Sequence, residues 1–173
     1  MIKKILVPVD GSPHSVKAAE LASEIAVKFG AEIVLLHVLL RGHMPEGLKR
    51  AIEVEVGTRT DTGTGHLVNM PIQIMARVQD KKTTQLSLEA LDAIAKYVLS
   101  QVTALCRDKG VKKVTQTVEE GNPAKIILDQ AERAGADIII MGSRGLSDLK
   151  GILLGSVSNK VSQLSTCTCV TVK

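Results

Sequence analysis

The residues with the most chemistry in them lie near the C-terminal end. Met141-Gly142-Ser143-Arg144-Gly145 is followed, nine residues on, by Gly155-Ser156-Val157-Ser158. The segment before it, Ala136 to Met141, is short, apolar and rich in β-branched residues, the pattern of a central parallel strand buried on both faces. A glycine-punctuated loop therefore leaves a strand at Met141 and enters a helix near Ser156. Gly142 and Gly145 permit positive φ and close backbone approach. Gly155-Ser156 opens a helix whose free N–H groups and dipole attract an anion. A nucleotide phosphate is expected here, wrapped by backbone N–H groups of Gly142, Ser143, Arg144 and Gly145 and met by donors from Ser156, Val157 and Ser158. Ser143 and Ser156 add a hydroxyl to the amide, and Arg144 either pairs with the phosphate or points to solvent. One helix-terminal charge interaction contributes only about 0.3–1 kcal/mol, so several donors must act together. Without a ligand, the same glycines read as turn and capping residues.

A second cluster stands at the other end of the chain, in Ile5-Leu6-Val7-Pro8-Val9-Asp10-Gly11-Ser12. Asp10 could accept hydrogen bonds from a ribose or an adenine edge, with backbone groups and apolar surface from Pro8 and Val9 beside it. It reads equally as the first residue of an Asp-Gly turn. The phosphate loop is not a P-loop: Gly-x4-Gly-Lys-Ser/Thr is absent and Lys150-Gly151 has the wrong order. No dinucleotide Gly-x-Gly-x-x-Gly follows the first strand either.

The spacing Gly142, two residues, Gly145, nine residues, Gly155-Ser156 resembles the ATP-binding signature of the universal stress protein family. Ile5 to Ser12 resembles that family's first strand and acidic turn, Leu35-Leu36-His37-Val38 its second strand, and Gly121-Asn122-Pro123-Ala124 with Ile126-Ile127 the start of its third helix. The likeness covers the chain except roughly residues 41 to 84. It implies a Rossmann-like open sheet of five parallel strands in the order 3-2-1-4-5, as in adenine nucleotide alpha hydrolases. It also implies adenosine contacts from Pro8, Val9 and Asp10, an adenine read by the backbone at Val38, and binding of ATP or AMP. Mg2+ would then ride on the phosphates, since no cluster of carboxylates is dedicated to it. Dimers are implied as well, through an edge strand Cys169 to Lys173. The family's usual Cys-Pro before that strand reads Cys167-Thr168 here.

Alternating strands and helices must position these corners, which favours an α/β class with a parallel sheet. Strands are expected at Lys3–Asp10, Glu32–Leu40, Lys113–Glu119, Asp137–Met141 and Cys167–Val172. The third alternates polar and apolar residues, as a half-buried edge strand does. Helix one runs from Pro13 to Gly30, with Ser12 as N-cap, Gly30 as C-cap and an apolar stripe at Val16, Ala19, Ala22, Ile25 and Ala26. Further helices are expected over Leu86–Lys109, Ala124–Ala134 and Ser156–Leu164. In the implied strand order, strands one and four are neighbours left in opposite directions, so Asp10 and Gly142 meet at a topological switch point, where open α/β sheets bind ligands. Residues 41 to 84, with six glycines and prolines from Gly42 to Gly65 and an apolar patch at Leu67–Met75, break the pattern. They read as a long mobile insertion, either a variable surface loop or a lid.

With 173 residues and 45% hydrophobic composition, one sizeable core fits, and a second full domain does not. The net charge of +4 comes from 22 basic and 18 acidic residues dispersed along the chain. With a single Tyr and a single Phe and no dense basic cluster, nucleic-acid binding is not indicated. No apolar stretch approaches the roughly 20 residues of a membrane span, and no signal-peptide core is evident, so a cytoplasmic protein is expected. Three cysteines suggest no disulfide framework. Cys167 and Cys169 should share one strand face as packing residues.

The four histidines show no metal-ligand spacing, and His37, inside an apolar strand, reads as a hydrogen-bonded core histidine. No Ser/His/Asp or Cys/His arrangement follows from order alone, and no catalytic residue is assigned. Three function classes stay open: a nucleotide-binding regulator of the universal stress type, a slow adenine-nucleotide hydrolase working through the same cradle, and a ligand-free scaffold.

Overall fold

A computed structural model describes residues 1–39, 88–146 and 154–173. The expected insertion at 41–84, with its Leu67–Met75 patch, lies outside the described residues. The elements are β1 (Lys4–Pro8), α1 (Pro13–Phe29), β2 (Glu32–Leu39), α2 (Leu88–Asp108), β3 (Val114–Glu120), α3 (Pro123–Ala134), β4 (Ile138–Gly142), α4 (Ser156–Leu164) and β5 (Thr168–Val172). All pairings are parallel and the strand order is β3-β2-β1-β4-β5. The fold is α/β, an open sheet with helices on both faces. Among the described residues, no helix is long and apolar enough to cross a membrane.

The central strands are apolar on both faces because both faces are covered. Ile5, Val7, Ile33, Leu35, Ile138 and Ile140 pack under α1 and α2. Leu6, Val34, Leu36, Ile139 and Met141 pack under α3 and α4. β3, at the edge, has no fully buried residue, as its alternation predicts.

Helix boundaries follow their caps. Ser12 Oγ accepts from the Ser15 amide at 3.2 Å, Pro13 occupies the first turn, and Gly30 closes α1 at φ 68°. Asn122 Oδ1 does the same for the Lys125 amide, and Gly135 closes α3 at φ 62°. The buried stripe of α1 is rotated from the expected one: Ala18, Ala19, Ala22 and Ala26 are joined by Ser15 and Ser23, while Val16 and Ile25 are only half-buried. The reason is proximity, since small side chains let the helix lie close to the sheet. The two buried serines satisfy their hydroxyls on helix carbonyls, Ser12 O at 2.8 Å and Ala19 O at 2.7 Å.

At the amino ends of the strands, Glu32 bridges Lys113 and Lys4, which hold its carboxyl below the usual carboxylate range. Asp137 Oδ2 accepts from the backbone amides of Lys3 (2.7 Å) and Lys4 (2.9 Å), and its carboxyl is lowered for that reason. Charge thus tacks β1 to β4 and β2 to β3 at the end opposite the glycine loops. Ile139, fully buried in β4 between β1 and β5, tests the core. Ile139→Ala is expected to cost about 2–5 kcal/mol, read as a lower midpoint in urea denaturation.

Candidate functional site

At the carboxyl ends of β1, β2 and β4 the sheet opens into a cavity of about 410 Å³, within the range of small-molecule sites. Twelve of the thirteen expected binding residues line it; Ser143 does not. On the β1 side stand Pro8, Val9 and Asp10, on β2 Val38, and on the β4–α4 side Met141, Gly142, Arg144, Gly145 and the start of α4 at Gly155 to Ser158. β1 and β4 are paired neighbours, so residues more than a hundred positions apart share one space.

Asp10 has two parts to play. Its Oδ1 accepts from the Ser12 amide at 2.9 Å, making the Asp-Gly turn that Gly11 permits at φ 84°. Its Oδ2 lies against Gly145, where an added Cβ would come within 2.5 Å of it. The turn reading and the cavity reading therefore hold together.

Neither Gly142 nor Gly145 has positive φ. Both are glycine because of close approach: a Cβ on Gly142 would stand 2.8 Å from His14 Cβ and 2.9 Å from the Arg144 carbonyl oxygen. Gly155 differs, because a Cβ there would find Arg144 Cα and the Ser143 oxygen at an ordinary 3.6 Å. The protein's own packing does not require that glycine. As N-cap it supplies no side-chain oxygen, so the first-turn amides of α4 receive no side-chain cap and face the cavity mouth.

Ser143 is fully buried behind the cavity. Its amide donates to the Val172 carbonyl at 2.7 Å, and its own carbonyl accepts from the Gly155 amide and from Ser158 Oγ, both at 2.7 Å. Ser158 Oγ also lies 3.0 Å from the Gly155 carbonyl. These bonds spend the Ser143 amide that an anion would need and fix the start of α4 to the end of β4, while Ser143 Oγ is buried with no hydrogen-bond partner among the described residues. Arg144 borders the cavity, and its Nε is buried with no hydrogen-bond partner among the described residues.

Several lining residues were not expected. Leu91 and Ile94 come from the first turns of α2, Pro123 and Ile127 from the first turns of α3. A usable signal existed: apolar residues at the start of a helix that follows a parallel strand sit at the sheet's carboxyl end. His37 is the other. Its Nδ1 lies 2.8 Å from the Val9 carbonyl oxygen, so Nδ1 carries the hydrogen and donates. Burial lowers its pKa, opposed by that hydrogen bond and by the Asp10 charge. It is a hydrogen-bonded buried histidine, as expected, and it borders the cavity as well.

Among the described residues, no group of three or more His, Cys, Asp or Glu side chains could hold a metal ion, and Asp10 is the one carboxylate on the cavity wall.

The family model for the universal stress protein family matches residues 1–173. The chain belongs to the universal stress protein family. Universal stress protein YxiE of Bacillus subtilis is 35% identical over 167 residues, 96% of each chain. The structure of the universal stress protein UspA from Lactobacillus plantarum aligns with a TM-score of 0.70 at 20% identity, over 99% of this chain and 98% of its own. Three more solved universal stress proteins, at 20%, 19% and 19% identity and TM-scores of 0.63, 0.63 and 0.59, hold cAMP, dAMP (Archaeoglobus fulgidus) and AMP (Arabidopsis thaliana). They align over 99%, 100% and 99% of this chain and 97%, 100% and 91% of their own.

The two structural kinds of glycine in this universal stress protein loop can be separated by stability. Gly142→Ala is expected to lose about 1–3 kcal/mol through overpacking against helix backbone. Gly155→Ala should stay within about 1 kcal/mol, the usual difference at an N-cap. Urea midpoints of the two variants check the contrast.

Proposed function

We propose that this chain is a cytoplasmic regulatory protein that binds an adenine nucleotide, ATP or AMP, in the cavity at the switch point. The observation that carries the reading is the buried Arg144 Nε without an acceptor, set beside a helix N-terminus whose cap position is a glycine that supplies no side-chain oxygen. A cation and a row of free amides at one cavity mouth call for an anion. The adenosine moiety would lie over the apolar stretch from Met141 to Val38, against Pro8, Val9 and Asp10. The phosphates would meet Gly142, Arg144, Gly145 and the Ser156, Val157 and Ser158 amides, with Ser143 holding that helix from behind. Asp10 Oδ2, on the cavity wall against Gly145, suits a ribose hydroxyl. The cAMP, dAMP and AMP complexes of the structural neighbours support the same ligand class. Any Mg2+ would be carried by the phosphates, because one carboxylate cannot build a cation site.

β5 lies at the sheet edge with its outer side unpaired among the described residues. Pairing with a second copy along Cys169 to Lys173 would cover it.

The decisive measurement is thermal stabilisation by nucleotide. AMP at about 100 times its dissociation constant should add about 2.7 kcal/mol, and GMP should add less. Arg144→Gln should weaken AMP binding by about tenfold or more, the worth of a charge-assisted hydrogen bond. No shift with either AMP or ATP would refute the reading, and phosphate release from ATP far above background would turn it into the hydrolase. Light scattering at low concentration checks the dimer.

A further inference from the structure

His37 sits where β2 reaches the cavity, and its side chain projects toward α1 and α2, on the face of Ile33 and Leu35, whereas Val38 projects toward α3. Its Nδ1 hydrogen is committed to the Val9 carbonyl at 2.8 Å. The other ring nitrogen, Nε2, must then carry a lone pair. It has no hydrogen bond to any described residue, and it is not among the buried nitrogens left without a partner. Nε2 is therefore open to the cavity that His37 lines.

We propose that His37 is a specificity-determining residue of the cavity, its Nε2 presenting a fixed acceptor to an N–H or O–H donor of the ligand. The inference rests on the adenine-nucleotide reading. Two parts of such a ligand carry that chemistry, the exocyclic amino group of the base and a ribose hydroxyl. The acceptor is fixed in place because the Val9 bond sets both the tautomer and the ring plane.

The surroundings keep the ring neutral. Val9 accepts its hydrogen bond and Asp10 acts on its charge from the β1 corner, and Ser15 from α1 and the apolar Leu91 and Ile94 from α2 share the cavity lining with it. Across β3 the register partner is Val118, with Gln116 on the same side bonded to Thr103. Asp10 is the one charged group of that set. His14 stands at the start of α1 against Gly142, Asp92 and Lys96 pair with each other at the surface, and Glu119 is taken by Arg133. Desolvation outweighs Asp10, and the ring's pKa is lowered. Protonation would place a hydrogen on Nε2, turn the acceptor into a donor and expel a ligand donor. Binding should accordingly be full above the ring's pKa and fall as pH drops through it.

The test compares AMP affinity of wild type and His37→Asn at about pH 8 and about pH 4.5, the lower value set beneath the usual histidine window because burial lowers this ring's pKa. Asn Nδ2 can still donate to Val9, but nothing replaces Nε2. The variant should bind AMP about three- to tenfold more weakly at the higher pH, the worth of one hydrogen bond. The wild-type advantage should vanish at the lower pH. The AMP phosphate, with a second pKa of about 6, titrates in both proteins, so only the difference between them is read. IMP lacks the amino group and 2′-deoxy-AMP one hydroxyl. Whichever analogue erases the difference between the two proteins identifies the donor.

Equal AMP affinity of the two proteins at both pH values would overturn the role of His37 alone. No AMP binding by wild type at either pH would overturn the nucleotide reading and this inference with it. Should the variant fail to fold, an NMR titration of the wild-type His37 ring decides. AMP should lower its pKa, and an unchanged or raised value would overturn the proposal.

Discussion

The end of β4 is the joint on which the rest of the site depends. Ser143 reaches β5 through its amide and α4 through its carbonyl, while Gly142, one residue earlier, lets the first turn of α1 come into contact. A side chain at Gly142 or a lost carbonyl contact at Ser143 would separate α1, β4, α4 and β5, four of the elements that frame the cavity. The free amides of α4 can be aimed at a ligand because Ser143, fully buried, leaves that helix no freedom to swing.

Much of the cavity lining is aliphatic, with Met141, Ile127, Leu36 and Ile94 among it, so a base would be held by burial and by backbone and ring hydrogen bonds; the chain's one Tyr and one Phe do not line it. Asp10 and Arg144 both border it, and Asp10 lies against Gly145, the residue after Arg144, so a carboxylate and a guanidinium stand on the same rim. Held below their usual pKa values, the structural carboxylates Glu32 and Asp137 stand at the far end of the strands. The field at the binding end is therefore set by Asp10, Arg144 and the helix termini.

Much of this was legible in the chain. Continuous apolar runs marked β1, β2 and β4, alternation marked β3 as an edge, and Gly155-Ser156 marked the start of α4. The strand order came from family resemblance, because periodicity says what a strand buries and not which strand lies beside it. Other features were hidden for physical reasons. Which side of α1 is buried depends on how closely the helix approaches the sheet, and that favoured Ala18 and Ser15 over Val16. The serine at 143 was read as a ligand contact because its type suits one. Its amide is drawn to Val172, a bond that exists only once β5 is in place, and its hydroxyl is buried without a partner among the described residues. His37 was seen as half of what it is, since its exposure to the cavity depends on α2, which follows more than fifty residues later.

The bond from Ser143 to Val172 ties the outermost strand directly to the residue that fixes the start of α4. A single peptide group thus joins the rim of the sheet to the mouth of the cleft. Pulling β5 out of line would cost that helix its anchor, although β5 supplies no residue to the cavity wall.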